Sequence, residues 1–570
     1  MISVSEKDLE QLKKDGEAPG FLTIEGLKTL AAGYLLVDET PKGMYVRLAK
    51  TAASYYTDFS KWEVKFFDAM WENWLCPASP VCSNFGSIRG LPISCNSISP
   101  ADSIDSIFTK GHELATLSKN GAGVGIYFGD IRARGAAING NGKSEGIVPW
   151  AKVMDQITVS VSQGSSRRGA SAIYLPIDHG DIEEFINIRR PTGDVNRRCL
   201  NINHGVCISD AWMESMLAGD KAKRQLWQDT LKSRSETGEP YMLFSDNINK
   251  NNPECYKANN LDVKTSNICS EIVLFTDPDH TFVCCLSSLN LARYDEWKDT
   301  DVVNIAVRFL DAVLSEYIVK TEHMKGMEAS RRSAMKGRAI GIGVLGWHTL
   351  LQEKGLPFDC FDTMQLNAEI FRGIKKKAEQ ETAILAQELG EPEWCKGFNR
   401  RNTHCMAIAP TVSNSIISGG FSAGIEPLSA NIYVQKSAKG TFIRKNHTLE
   451  RLLESKGFNT SDIWKSINEQ DGSVQHLKCL TDNEKEVYLT AREINQHAII
   501  KLAAQRQKYI DQAQSVNLFF ASNSSPKYMH EVHIAAWKSG LKTLYYLRSS
   551  GVIKGDLASR SQDECKACEG

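Results

Sequence analysis

Short β-prone runs alternate with amphipathic helices over roughly 450 of the 570 residues, and this alternation constrains the fold most strongly. The alternation is typical of an α/β domain with a largely parallel sheet. Strands are predicted at 91–98, 123–129, 170–175, 203–209, 268–275, 281–291 and 406–410, and helices at 211–233, 301–320, 366–389 and 491–513. Residues 1 to about 75 show apolar residues at helical spacing instead, which predicts a mostly helical N-terminal region.

Composition excludes several classes of protein. Hydrophobic residues make up 42% of the chain and charged residues 24%, which is ordinary for a globular protein. The formal net charge is −1 and no basic tract occurs, so we expect no DNA or RNA partner. No apolar run reaches about 18 residues, and the charged N-terminus lacks the apolar core of a signal peptide. We therefore expect a cytoplasmic protein that does not bind a membrane.

The chain has 15 cysteines, which is many for a reducing compartment and suggests redox chemistry or metal binding. Most of them are interpreted as buried small hydrophobes. No pair of CxxC motifs and no cluster of carboxylates and histidines is evident, so no metal site is predicted. The cysteines that stand apart are Cys95, Cys269, Cys284 or Cys285, and the terminal pair Cys565 and Cys568.

The stretch "TSNICSEIVLF" (265–275) places Asn267, Cys269 and Glu271 at alternate positions. If this segment is a strand, the three side chains share one face. Burying an amide, a thiol and a carboxylate together costs free energy unless they are hydrogen-bonded. The segment is therefore either a half-exposed edge strand or part of a reactive site.

Two stretches are rich in glycine. "GIGVLG" (341–346) matches a dinucleotide-binding pattern, but charged residues precede it and no βαβ unit surrounds it, so close helix packing is favoured. "APTVSNSIISGGFSAGIEP" (409–427) follows a short strand and leads towards a helix. Free backbone N–H groups in such a turn suit a phosphate, although an ordinary surface loop would have the same composition.

Three further patterns involve the remaining cysteines and a pair of tyrosines. On a strand Cys284 and Cys285 face opposite sides, so only one of them can join a shared site. The polar tail that bears Cys565 and Cys568 could reach a buried disulfide and exchange with it. Tyr545 and Tyr546, in "TLYYLRSS", are consistent with simple core packing.

The chain from about residue 76 to 570 resembles the large catalytic (α) subunit of class I ribonucleotide reductase. The matching motifs, in family order, are "ASPVCSNFGSIRGLPISC", "SQGSSRRGASAIYL", "SNICSEI", "CCLSSLNL", "RAIGIGVLGWHTLLQ", "PTVSN…GIEP" and "TLYYLR". The resemblance implies a ten-stranded α/β barrel with a central finger loop over 76–547. It also implies a helical region at 1–75 and a flexible redox tail at 548–570.

The resemblance implies a role for each catalytic candidate. Cys269 would carry a transient thiyl radical, Glu271 would accept the 3′-hydroxyl proton of the ribose, and Asn267 would hold the ribose hydroxyls. Cys95 and Cys284 would supply two electrons and form a disulfide. Cys565 and Cys568 would reduce that disulfide, and Tyr545 and Tyr546 would relay the oxidising equivalent.

Ligands and partners follow from the same resemblance. The substrates would be ribonucleoside diphosphates bound by Ser79, Ser94, Gly129, Pro410, Thr411, Val412, Ser413 and Asn414. No cofactor is expected in this chain, because a separate metal-containing β subunit would generate the radical. Thioredoxin or glutaredoxin would regenerate the tail.

Regulation is expected to differ from that of a typical family member. Only about 75 residues precede the barrel, so we expect no ATP-cone domain and no inhibition through one. A dNTP or ATP specificity effector would contact Asp102, Ser103, Ile104, Lys143, Gln163 and Arg168. Asn139 stands where some relatives have an arginine for the triphosphate. Because the family's effector site forms between two α subunits, both a homodimer and a monomer remain open.

Three alternatives remain. The first is an adenosylcobalamin-dependent (class II) reductase of the same fold, which the tyrosine pair disfavours. The second is a catalytically silent nucleotide-binding paralogue, which predicts a missing catalytic residue where none is missing. The third is a thiol-based metal-binding protein, which the lone CxxC motif disfavours.

Overall fold

Helices precede the barrel in the computed structural model, which describes residues 5–163, 167–437 and 440–549. The N-terminal helices are Glu6–Lys14, Ile24–Ala31, Pro41–Ala53 and Phe59–Trp71. A serine, threonine or aspartate side chain caps each of them by accepting a backbone N–H of the first turn. The prediction of a helical N-terminal region is confirmed.

Five parallel strands form the first half of a barrel. In sheet order they are Cys95–Ile98, Gly123–Tyr127, Ala170–Pro176, Asn203–Ile208 and Tyr241–Phe244. Nearly every residue in them is buried, because helices cover the outer face and a loop fills the inner one.

The second half runs antiparallel to the first. Phe282–Asn290 pairs antiparallel with Cys95–Ile98 and parallel with Ile340–Leu345. Parallel bridges from Ile342 to Met406 and from Ile408 to Gln514 add two irregular segments. Thr543–Leu544 pairs with the strand Tyr241–Phe244, and the Tyr545 N–H donates to the Val516 carbonyl at 2.8 Å. These ten segments close a ring, so the predicted ten-stranded barrel is confirmed.

The remaining elements surround this ring. Strand Leu75–Pro77 lies antiparallel to Phe282–Asn290, and smaller sheets pair Ser162–Gln163 with Arg167–Arg168, Ile432–Ser437 with Gly440–Lys445, and Leu518–Phe520 with Leu547–Ser549. The longer helices are Ile104–Lys119, Ile147–Ser160, Asp210–Ala218, Lys221–Thr237, Val302–Lys320, Glu328–Gly337, Phe361–Leu389, His447–Ser455, Ser461–Glu469, Gln496–Gln507 and Pro526–Lys538. The shorter ones are Ser79–Asn84, Ile182–Phe185, Ser245–Lys250, Glu254–Ala258, Tyr294–Trp297, Trp347–Glu353, Val412–Ile417 and Asp482–Val487, with 3₁₀ turns at Val195–Arg197, Leu291–Arg293 and Glu393–Cys395. Within the described ranges, no helix combines the length and apolarity that a bilayer crossing requires.

The glycine-rich stretch 341–346 differs from its prediction. Ile340–Leu345 is a buried barrel strand, not a site of close helix packing. A Cβ on Gly341 would lie 2.4 Å from the Leu286 side chain, and one on Gly343 would lie 2.7 Å from the Ala407 carbonyl oxygen. The glycines therefore let neighbouring barrel segments approach each other.

The predicted helix at 211–233 is two helices. Gly219 ends the first with a φ of 114°, and Asp220 caps the second through the Lys223 N–H. The divisions at residues 75 and 547 stay predictions, and the tail at 548–570 is described only as far as residue 549.

Candidate active site

A loop that is buried from residue 265 to 274 fills the barrel and replaces the strand predicted at 268–275. The loop folds on itself, since the Ser266 hydroxyl donates to the Ile272 carbonyl at 2.7 Å. Ser270 has a φ of 67°, which no strand residue adopts. The prediction of a strand was wrong because contacts across the barrel, not local β-propensity, shape this segment.

Gly125 makes room for the loop. A Cβ at Gly125 would lie 1.9 Å from the Ser266 carbonyl oxygen, so only glycine allows this approach. On the other side, the Ala513 N–H donates to the Glu271 carbonyl at 2.9 Å. The loop is thus held between the two halves of the barrel.

The loop nevertheless brings Asn267 and Glu271 together. The Asn267 Nδ2 donates to Glu271 Oε1 at 3.0 Å and lies 3.5 Å from the Cys95 Sγ. The Ser515 Oγ lies 3.1 Å from Glu271 Oε2 and 2.5 Å from the Cys269 carbonyl oxygen, so its single proton bonds one or the other. Because Glu271 is fully buried, these donors offset the cost of desolvating its carboxyl group. A fixed carboxylate of this kind suits a general base.

Cys95 and Cys284 lie directly opposite each other in antiparallel strands. Cα atoms paired in this way are about 4.5–5.5 Å apart, within the range that a disulfide spans. Both belong to the same buried cluster as Cys269, inside the barrel. Cys285 belongs instead to the larger hydrophobic cluster between the barrel and its helices, called here the outer core. Of the two adjacent cysteines, Cys284 therefore faces Cys95.

A cavity opens beside these residues. Cys95, Cys284 and Glu271 line it on one side, and Ser79, Ser94, Pro410, Thr411 and Asn414 line it elsewhere. The other predicted substrate residues do not line this cavity. Val412 and Ser413 lie in the short helix that follows Thr411, and Gly129 packs against Tyr127 and Pro176.

The segment 409–427, called here the substrate loop, is hydrogen-bonded to other residues beside the cavity. The Ser79 hydroxyl donates to Asn414 Oδ1 at 3.1 Å, and Asn414 Nδ2 donates to the Pro77 carbonyl at 2.8 Å. Thr411, with a φ of 56°, starts the helix Val412–Ile417, and its hydroxyl accepts the Gly424 N–H at 2.7 Å. N–H groups of a first helical turn have no intrahelical acceptor, so a phosphate at this wall could bind them.

Tyr545 and Tyr546 form a tyrosine cluster with Tyr241, which the sequence did not indicate. The ring centroids of the pair are 4.3 Å apart, and Tyr241 lies 4.8 Å from Tyr545 and 5.0 Å from Tyr546. Tyr241 is distant in sequence and sits in an apolar run, so no local pattern distinguishes it from core. Gln512 and Ser515 were also not predicted from the sequence. The only signal for them is that the segment "DQAQSVN" (511–517) is mostly polar.

Glu426 links the substrate loop to the tyrosine cluster. The Asn517 side chain donates to Glu426 Oε1 at 2.6 Å and accepts the Tyr546 N–H at 3.0 Å. Burial raises the pKa of Glu426 to about 7, against the opposing effects of Arg548 and Asn517. The carboxyl group therefore titrates near neutral pH.

This pKa predicts how stability changes with pH. The pKa of Glu426 in the folded state lies above its value of about 4.3 in the unfolded chain. The favourable contribution of Glu426 to the free energy of unfolding is therefore complete below about pH 4.3 and is lost as the pH rises through 7. Replacing it, Glu426→Gln, should remove a slope of at most about 1.4 kcal/mol per pH unit between these limits. Unfolding midpoints of wild type and variant at pH 5 and 7.5 measure this effect. Parallel pH dependences would contradict it.

The predicted effector residues lie on a separate surface. Asp102 forms an ion pair with Arg132 at 2.6 Å, and Ser103 caps helix Ile104–Lys119. Ile104 and Lys143 are exposed. The side chains of Gln163 and Arg168 lie outside the described part of the structure, as do Cys565 and Cys568.

Comparison with known families agrees with this architecture. Residues 20–90 match the model "Ribonucleotide reductase, all-alpha domain". Residues 93–223, 219–400 and 395–547 match "Ribonucleotide reductase, barrel domain". These matches extend over most of the chain.

Individual relatives agree as well. A putative ribonucleoside-diphosphate reductase large subunit of Frog virus 3 is 38% identical, over 89% of this chain and 92% of its own. The ribonucleoside-diphosphate reductase large subunit of Invertebrate iridescent virus 3 is 34% identical, over 96% and 98%. The solved Actinobacillus ureae class Id ribonucleotide reductase alpha subunit is 41% identical, covers 95% of this chain and 99% of its own, and superposes with a TM-score of 0.87. The chain therefore belongs to the family of ribonucleotide reductase large subunits.

Proposed function

We propose that this chain reduces ribonucleoside diphosphates to 2′-deoxyribonucleotides by thiyl-radical chemistry in the cavity beside Cys95 and Cys284. The observation that carries the proposal is the meeting, in one cavity, of a facing pair of cysteines with a fixed carboxylate. Family membership supports the same reaction.

Each step conserves atoms and electrons. The Cys269 thiyl takes the hydrogen from C3′ and leaves a carbon radical, while Glu271 accepts the 3′-hydroxyl proton. The 2′-hydroxyl departs as water with a proton from the Cys95–Cys284 dithiol. That dithiol supplies two electrons and becomes a disulfide, and its second hydrogen goes to C2′. Glu271 then returns its proton to the 3′-oxygen, and the Cys269 thiol returns its hydrogen to C3′. The net change is one ribonucleotide and two thiols to one deoxyribonucleotide, one disulfide and one water.

Substrate phosphates are assigned to the cavity wall formed by residues 410–414, together with Ser79, which is hydrogen-bonded to Asn414, and Ser94. The first-turn N–H groups and the tied side chains of this wall support the assignment. Gly129 belongs to the same proposal as a further residue of the substrate pocket. An effector at Asp102, Ser103, Ile104, Lys143, Gln163 and Arg168 belongs to the same proposal, with a triphosphate nucleotide as its ligand.

The oxidising equivalent is assigned to a separate β subunit and to passage through Tyr545 and Tyr546. The close contact of their buried rings supports this relay. The test is deoxynucleotide formation by the purified chain with and without its cognate β subunit. Turnover should require that subunit. Turnover with adenosylcobalamin alone would refute the relay and leave the barrel chemistry standing.

The tail cysteines are expected to serve only repeated turnover. The double variant Cys565→Ser, Cys568→Ser should stop multiple turnover with a thioredoxin-type or glutaredoxin-type reductant, because no dithiol can then reach the barrel disulfide. The pre-reduced variant should still make one product per chain, and a small dithiol should partly restore turnover. Product counting in a single round measures this, and loss of the first round would show another role for the tail.

A further inference from the structure

The Gln512 side chain contacts the sulfur of Cys284. Its Nε2 lies 3.2 Å from the Cys284 Sγ and 2.9 Å from the Ile340 carbonyl oxygen. A carbonyl oxygen pairs only with a donor, so the amide must turn its NH₂ end towards both atoms. Gln512 therefore donates an N–H to this sulfur.

The amide is buried and hydrogen-bonded at its nitrogen, and the backbone that carries it is fixed. Gln512 is fully buried, and its Nε2 donates to the Ile340 carbonyl. Its backbone N–H donates to the Met406 carbonyl at 3.1 Å, and its backbone carbonyl accepts from Gln507 Nε2 at 2.9 Å. Such a donor is preorganised and needs no movement when charge develops on the sulfur.

The two facing sulfurs have different surroundings. Cys284 is 1% exposed and Cys95 is 5% exposed. The Asn267 amide lies 3.5 Å from the Cys95 Sγ and also serves Glu271, whereas Gln512 lies closer to its own sulfur. Burial raises the pKa of Cys284, and the hydrogen bond from Gln512 acts against that rise. Cys284 thus has a fixed N–H donor within 3.2 Å of its sulfur, and Cys95 is the slightly more exposed of the two.

We propose that Gln512 makes Cys284 the leaving sulfur when a dithiol reduces the Cys95–Cys284 disulfide, so that the attack falls on Cys95. This inference rests on the proposed function, because it assumes that the disulfide is the oxidised state of the enzyme. Gln512 is then a catalytic residue of the regeneration step, since it touches a reacting atom.

The exchange balances with the dithiol as the sole reductant. A thiolate of the dithiol bonds to the Cys95 sulfur, the Cys95–Cys284 bond breaks, and Cys284 leaves with the electron pair as a thiolate beside Gln512. The second thiolate of the dithiol then attacks the mixed disulfide and releases the Cys95 thiolate. The dithiol ends as a disulfide, and its two protons pass to the two cysteines.

The site of attack can be read directly in the full chain carrying Cys565→Ser and Cys568→Ser. Brief oxidation with diamide should link Cys95 to Cys284. A monothiol such as 2-mercaptoethanol, followed at once by iodoacetamide, should place the mixed disulfide on Cys95 and the alkyl group on Cys284. Peptide mass spectrometry separates the two. The reverse pattern, an equal mixture or no linked peptide would overturn the proposal.

The role of the amide is tested in the same background. Gln512→Met keeps the size of the side chain but removes the donor, and it should slow reduction of the disulfide by dithiothreitol about tenfold. Gln496→Met is the matched control, because Gln496 is comparably buried and donates to the Ala491 and Ile494 carbonyls instead of a sulfur. It should leave the rate unchanged. Equal rates of disulfide reduction in the two variants would overturn the proposal. If Gln512→Met does not fold, the labelling pattern alone tests the proposal.

Failure of the underlying function looks different. If the disulfide forms with diamide but never after a single turnover, the proposed function fails while the exchange assay still reports on Gln512. If the disulfide forms during turnover but Gln512→Met exchanges at the wild-type rate, the proposed function stands and only the role of Gln512 is refuted.

Discussion

Deoxynucleotide formation should fall to background in Cys269→Ser, the largest effect expected for any single substitution in this chain. A serine O–H bond is too strong to exchange hydrogen reversibly with a ribose C–H bond, so the radical step has no replacement. The fold should persist, since the change replaces one buried sulfur by oxygen, at a cost of about 1–3 kcal/mol if the hydroxyl stays unpaired. Product assay, thermal unfolding and nucleotide binding together measure this.

The matched control is Cys199→Ser. Cys199 is equally buried but packs in the outer core, away from the cavity. This variant should lose similar stability and keep turnover. Measurable product from Cys269→Ser, or equal loss of activity in both variants, would remove the radical role from Cys269.

Turnover should also be abolished in Tyr545→Phe and in Tyr546→Phe, each tested alone. Phenylalanine keeps the ring and the contacts within the tyrosine cluster but cannot be oxidised as a phenol can. The cost in stability should be small, on the order of 1 kcal/mol. The measurement is product formation with the β subunit, alongside the unfolding midpoint and the affinity for that subunit, neither of which should change much.

Tyr317→Phe provides the control for a buried hydroxyl. Its hydroxyl donates to the Ser330 Oγ at 3.1 Å, far from the cavity in the outer core. This variant should lose the hydrogen bond to Ser330 and keep full turnover. Near-normal turnover in Tyr545→Phe or Tyr546→Phe would show that the substituted tyrosine only packs in the core. Activity in both variants would argue against the relay as a whole.

The sequence by itself determined the class of fold, and its resemblance to a known family supplied the candidate chemistry. Alternating strand and helix patterns predicted the α/β architecture because hydrophobic periodicity reflects which face each element buries. The spacing of Asn267, Cys269 and Glu271 left an edge strand and a reactive site open, because such groups are costly to bury without a use. The resemblance to ribonucleotide reductases favoured the reactive site.

The tertiary structure decided how those residues meet. Local β-propensity suggested a strand at 268–275, but the segment is a loop whose shape depends on Gly125 and Ala513, both distant in sequence. The register of two antiparallel strands placed Cys284 opposite Cys95. Gln512 and Tyr241 acquire their contacts with the site only because the barrel closes. Pairings between segments hundreds of residues apart leave no local pattern, since side-chain contacts across a barrel depend on register and not on neighbouring residues.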